Sequence, residues 1–214
     1  MLVELERVIG REEHRVCTSF REVLDLEPKP SIIAVDIPIG LLDEPRSGGR
    51  ECDKKARQLL GTPRRSSVFT PPTRPALVSA TYEEAQSFGT GMSHQAFGIL
   101  PKIREVDQLM SPELQETVHE VHPELCFYGL TGKPMDHKKK STEGKAQRLR
   151  ALHNSFPGVA RALGRFPRSQ VASDDILDAY AAVWTAVRIA DNSAKRIPAR
   201  PPIDAKRLRM EMWY

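Results

Sequence analysis

The chain has 214 residues, 40% of them hydrophobic and 28% charged, with a formal net charge of +4. Those are globular values, long enough for a substantial core, and the mild basic bias is at most a weak pointer to nucleic acid. Three cysteines without a C-x-x-C pair argue against a disulfide framework and a structural zinc site.

The opening residues are too charged for a signal peptide, and no apolar run approaches membrane-spanning length, so a soluble protein of the reducing cytoplasm is expected, with no membrane partner. "LVELERV" and "HRVCTSF" read as two strands around the polar turn "IGREE". "SFREVLDL" follows as a short helix with Ser19 as N-cap, and "EPKPS" breaks it. The apolar run "IIAVD" is typical of a strand covered on both faces, as in parallel sheets. "ECDKKARQLLG" has helical spacing and ends at Gly61, a C′ residue. The weak hydrophobic signal from Tyr82 to Met110 predicts helical pieces, within a helical and loop insertion over about 70–115 outside the main sheet. "TVHEV" reads as another strand, closed by His122-Pro123, and "AQRLRALHNSF" as an amphipathic helix after the polar stretch "GKPMDHKKKSTEGK". In "SDDILDAYAAVWTAVRIAD", the clearest helix, Ser173 is placed to cap and Ile176, Leu177, Tyr180, Val183, Trp184 and Val187 form one apolar face. "RLRMEMWY" closes the chain as an extended segment. Strands alternating with helices, without a dividing linker, predict one α/β domain over 1–214.

Chemistry enters through the acids. Ligands of open α/β sheets bind beyond the carboxyl ends of the strands, where Asp36 and Glu124 both fall. Asp174, Asp175 and Asp178 sit on the first turns of the long helix, spaced so that at most two of them face one ion. Converging carboxylates repel. A hard divalent cation offsets that, and all-oxygen ligation by Asp36, Glu124, Asp174 and Asp178 suits Mg²⁺ or Mn²⁺, the usual device for phosphodiester hydrolysis. Each acid also has a structural reading: Asp174 and Asp175 complement a helix dipole, Asp36 forms a turn before Pro38, and Glu124 pairs with an arginine.

The basic segments supply candidate phosphate contacts. "RRSSVFTPPTR" offers Arg65, Ser66, Ser67 and Arg74, and "RECDKKAR" brings Arg50 and Arg57 near one helical stripe. His122 beside Glu124 is a candidate acid–base or ligand, and lysines around Lys139 form a cluster on a loop. No Walker, dinucleotide, H-E-x-x-H or G-x-S-x-G motif occurs.

Together, "VDIPIGL", "RECDKKARQLLG", "RRSSVF", "EVHPELCF", "KKKSTEGKAQRLR", "SDDILDAYAAVWTA" and "RLRMEMWY" resemble the DUF429 proteins, in order from Ser31 to Tyr214. That family is described as predicted nucleases. The resemblance implies a ribonuclease H-like mixed sheet, begun by an antiparallel hairpin and flanked by helices. It implies an acidic site completed by a carboxyl-terminal helix, with Asp36 matching the acid of D-I-P-I-G, Glu124 that of H-P-E, and Asp174, Asp175 and Asp178 the D-D-x-x-D helix. Family members usually begin with a strand carrying V-D-G-C, whose Asp is the first metal ligand. The strand "MLVELERV" corresponds to the one after it, so a start set downstream of the central strand is expected; the other expectation is a site lacking its first acid.

The functional expectation is a metal-dependent nuclease, with catalytic Asp36, Glu124, Asp174, Asp175 and Asp178. The alternative is a non-catalytic nucleic-acid-binding module on a degraded nuclease scaffold. Phosphoryl transfer to a small molecule is a third reading, weakened by the absence of Gly-rich nucleotide loops.

Overall fold

The structure, a computed structural model, describes residues 2–6, 11–89 and 91–214. Its first elements are an antiparallel pair, β1 (Leu2–Glu6) and β2 (Arg11–Arg15), in the register Leu2↔Arg15. The second strand thus ends before "VCTSF", which carries the chain into α1 (Phe20–Leu24), where Ser19 Oγ accepts from Glu22 N at 3.2 Å as the expected cap. The turn at 7–10 lies outside the described residues.

At the centre, β3 (Ile33–Val35) pairs in parallel with β4 (Val118–Glu120), Ile33 opposite Val118 and Val35 opposite Glu120. Side chains alternate along β3. Ile33 and Val35 pack with Phe20, Val106 and Val118 on one face, and Ala34 packs with the cluster around Tyr180 and Phe127 on the other. A parallel bridge Val121↔Trp213 extends this pair to β6 (Met212–Trp213), which runs antiparallel to β5 (Arg196–Ile197). The general α/β class holds, but the continuous mixed sheet of the sequence reading is here a set of short ladders. Among the described residues none joins the β1–β2 hairpin to β3. The hairpin packs instead on the long helix α9 (Ser173–Ala190), where Tyr180 Oη donates to Glu12 Oε2 at 2.6 Å.

The remaining helices surround these ladders. α2 (Glu51–Arg64) leaves helical geometry at Gly61, whose φ of 56° suits the C′ glycine expected there. The region 70–115 folds as helical pieces, α3 (Tyr82–Ser87), α4 (His94–Gly98) and α5 (Leu100–Leu109), around Leu77, Met92, Leu100 and Ile103. Pro123 opens α6 (Pro123–Thr131), followed by α7 (Thr142–His153) and the short α8 (Val159–Ala162).

Two details of α9 differ from expectation. Ser173 lies inside the helix and Ala172 takes the cap position, with no side-chain capping bond; the acids Asp174 and Asp175 complement the dipole of that first turn instead. Val183 packs against the core from one side and Val187 joins no core cluster. With Ala179, Ala182, Ala186 and Ala190 they face a cavity of about 540 Å³ whose other walls are β3, Phe20, Val23 and Val106. In a parallel pair alternate residues point their backbone groups to opposite sides, and those of Ala34 face away from β4, so among the described residues no strand pairs with this edge of β3. Among the described residues, no helix is long and apolar enough to cross a membrane.

Candidate functional site

The acidic groups meet where this cavity reaches the carboxyl end of β3. Asp36 leaves β3 directly and lines the cavity with Asp175 and Asp178 from α9 and Lys139 from the loop before α7. Asp174 and Asp178 are one helical turn apart and share a face. Both point at the Lys139 ammonium, with Asp178 Oδ2 accepting from Nζ at 2.8 Å and Asp174 Oδ2 lying 3.8 Å from it. Asp175 is exposed and faces the cavity rather than the ammonium.

The environment sets the charge. Asp36 keeps solvent contact through the cavity, yet the surrounding walls strip water from its carboxyl and push its pKa up; His122 and Lys139 oppose the rise and Asp175 adds to it. Burial pushes Asp178 up to about 6 against the pull of Lys139, with Asp36 and Glu124 adding to the rise. Burial alone would lower the Lys139 pKa, but Asp178, Asp174 and Asp36 outweigh it and raise it.

Glu124 follows β4 as expected, in the first turn of α6, and is buried. Its Oε1 accepts from Arg148 Nη2 of α7, while its Oε2 has no hydrogen-bond partner. The sequence reading assigned Arg148 no role. Gly144, Arg148 and Leu152 are all buried at spacing i, i+4, i+8, so the inward stripe of α7 carries an arginine whose side chain is 0% exposed. An apolar stripe interrupted by one arginine is the signal that could have shown an internal partner for an acid.

The basic candidates divide. Arg65, Ser66 and Ser67 are exposed at the kink after α2, and His122 Nε2 donates to the Ser67 carbonyl at 3.2 Å. Arg64 Nη1 donates to His137 O at 3.3 Å, so this segment touches the lysine loop, while Arg65 and Ser66 line a separate shallow pocket with Arg57 and Val68. Arg50 does not face a substrate. It is 2% exposed, bound to Glu120 and Asp53 and to the Ile39 and Gly40 carbonyls. Nor does it share a stripe with Arg57, whose guanidinium donates to the Val68 and Gly48 carbonyls and to Thr70 Oγ1. Arg74 is engaged by Asp107, Asp204 and Asp43. These three arginines read as internal stitches because each spends its donors on the protein. Glu120, in β4, also went unassigned in the sequence reading; burial pushes it up to about 7, against the pull of Arg50 and with Asp53 adding to the rise.

A metal ion suits these groups in kind, since all are oxygen donors and Glu124 Oε2 is a buried acceptor without a partner. As the side chains rest, no three His, Cys, Asp or Glu among the described residues are arranged to hold one. The cation among the carboxylates is Lys139.

Fold and site together define an α/β protein with a carboxylate cluster at a parallel strand end, closed by a lysine. The family model described as "Protein of unknown function (DUF429)" matches residues 2–203, and the chain belongs to that family. The match takes in the amino-terminal hairpin and stops short of the closing strand β6. No match was found among curated proteins or solved structures.

Proposed function

We propose that this protein is a divalent-cation-dependent phosphodiesterase acting on nucleic acid, on an α/β scaffold of the ribonuclease H type. The observation that carries the reading is that Asp174 and Asp178 meet the Lys139 ammonium at 3.8 and 2.8 Å while Asp36, from a separate element, lines the same cavity with Lys139 and Asp178. Asp36, Asp174 and Asp178 would hold Mg²⁺ or Mn²⁺, with Glu124 Oε2 as a further donor. Such an ion supplies charge stabilisation and an activated water for in-line attack on a phosphodiester. The chain's own residues do the rest. Exposed Arg65 would offer its fork to phosphate oxygens beside the site, whereas Ser66 Oγ and Ser67 Oγ donate to the Pro63 and Arg64 carbonyls at 3.0 and 2.8 Å and only hold that segment's shape.

A second reading has its own support. Lys139 neutralises the cluster and Arg148 engages Glu124, which is the charge balance of a binding module without chemistry. The two part on one assay. The enzyme cleaves labelled single- or double-stranded oligonucleotides with Mn²⁺ and not with EDTA. The binding module retains them in a salt-dependent manner and cleaves none. Salt-independent retention without cleavage counts against both.

A further inference from the structure

Three lysines follow one another at 138–140, and only the middle one turns inward: Lys138 and Lys140 are exposed while Lys139 reaches Asp178 at 2.8 Å. The turn is built into the backbone. Asp136 N and His137 N donate to Gln147 Oε1 at 3.1 and 3.2 Å, Arg148 Nη1 donates to His137 O at 3.1 Å, and Ser141 N donates to Lys138 O at 3.0 Å. Gly144 lets α7 pass so close beneath the loop that a Cβ there would lie 1.9 Å from the Lys138 carbonyl oxygen. A lysine on a free loop would spread over many rotamers; this one is presented from a backbone tied to α7.

One ammonium does not complete the cluster. It carries a single charge and three donors, while Asp174 and Asp178 converge on it, Asp36 lines the same cavity and the buried Glu124 Oε2 has no partner. A divalent cation carries twice the charge and takes more oxygens.

We infer that Lys139 is an internal competitor of the divalent cation: ammonium and cation share the carboxylates of Asp36, Asp174 and Asp178, so the cation enters as Lys139 leaves. The inference rests on the proposed reading of the cluster as a metal site and adds its regulation. A displaced Lys139 becomes the third ammonium on a loop where Lys138 and Lys140 are already exposed to incoming phosphate. Cation binding thereby strengthens substrate binding, and by reciprocity substrate strengthens cation binding.

The test is calorimetric titration of Mn²⁺ into the intact chain, as wild type, Lys139→Met, Asp178→Asn in the Lys139→Met background, and Lys133→Met, whose ammonium pairs with the exposed Asp136. Lys139→Met should bind Mn²⁺ about tenfold more tightly, within the usual range of linked binding. The double variant should lose that gain, and Lys133→Met should match wild type. Binding by Lys139→Met that equals or falls below wild type overturns the inference while leaving the metal reading in place. No binding by any variant sinks the metal reading and the inference with it. Should Lys139→Met not fold, the wild type still decides. Its Lys139 ammonium should give a protected ¹⁵N signal without metal that vanishes on saturation with Mg²⁺, and persistence of that signal in the saturated protein overturns the competition.

Discussion

Arg50 and Glu120, 70 residues apart in sequence, are joined by two hydrogen bonds of 2.8 and 2.6 Å and are closed off from water. Asp53 shares the guanidinium, and Ile39 N donates to Glu120 Oε2 at 2.6 Å. The group thereby ties the start of α2 to β4 and to the loop that follows Asp36. Arg50→Met leaves two buried carboxylates facing each other without a counter-ion. It should cost about 3–5 kcal/mol, as does removal of one partner from other buried ion groups, read as a lower urea midpoint at unchanged m-value. An arginine that held phosphate would instead lose nucleic-acid binding at constant stability.

Asp178 gives the stability a slope with pH. The folded chain holds its proton up to about pH 6, whereas an unfolded aspartate releases it near 4. Between those values the folded state binds more protons, so this group's contribution is full below about pH 4 and falls as pH rises through 6. Stability of the metal-free wild type relative to Asp178→Asn should therefore decline from pH 4.5 to pH 7.5, by on the order of 2 kcal/mol. Parallel curves for the two proteins would remove Asp178 as the cause.

On the proposed reading Asp36→Asn and Asp174→Asn should each abolish Mn²⁺-supported cleavage while leaving the far-ultraviolet circular dichroism spectrum intact. Asp175→Asn, on an exposed carboxylate that faces the cavity rather than Lys139, should cost less. Full activity in either of the first two variants contradicts the assignment.

Much of this was legible in the sequence because it depends on local patterning. The apolar run before Asp36, the Ser19 cap, the Gly61 stop and the i,i+4 pairing of Asp174 with Asp178 all follow from residues within a turn or two of each other. What was not legible depends on partners brought from afar. Arg50 looks like a surface cation beside Lys54, and only the docking of β4 makes it internal. Glu124 and Arg148 belong to two different helices, and nothing near either names the other. Lys139 differs from Lys138 and Lys140 by one position in a polar loop; its inward turn comes from Gln147 and Gly144 in the helix that follows. Val183 and Val187 fit the apolar face of α9, but periodicity reports a face and not what covers it.

Gly144→Ala tests the route by which α7 places that loop. The added methyl would collide with the Lys138 carbonyl, a backbone atom, so the loop must shift. The expected loss is about 1–3 kcal/mol, typical of overpacking, seen in thermal unfolding. It should come with a downfield change at the Lys139 ε-methylene, and an unchanged resonance there would show that the loop does not carry the placement.

Arg65→Ala should weaken oligonucleotide binding evenly across sequences and lower the slope of log affinity against log salt by about one, as for one phosphate contact. An unchanged slope would mean that Arg65 makes no phosphate contact.

The edge of β3 away from β4 bears on how the protein behaves when concentrated. An exposed strand edge is a template on which chains pair and precipitate, and many sheets guard it with lysines, prolines or bulges. Ile32 to Asp36 have no lysine or bulge on this edge. The guard is the cavity itself: the residues of β3 line it together with Phe20, Val23, Ala182 and Val187. A second sheet, about 10 Å thick with its side chains, meets these cavity walls first. Colloidal stability and core packing thus share residues, since Phe20 and Ala182 are buried in the core and Val23 packs against it; of these walls Val187 is the one outside the core clusters, and trimming it would expose the edge to neighbouring chains before it loosened the fold.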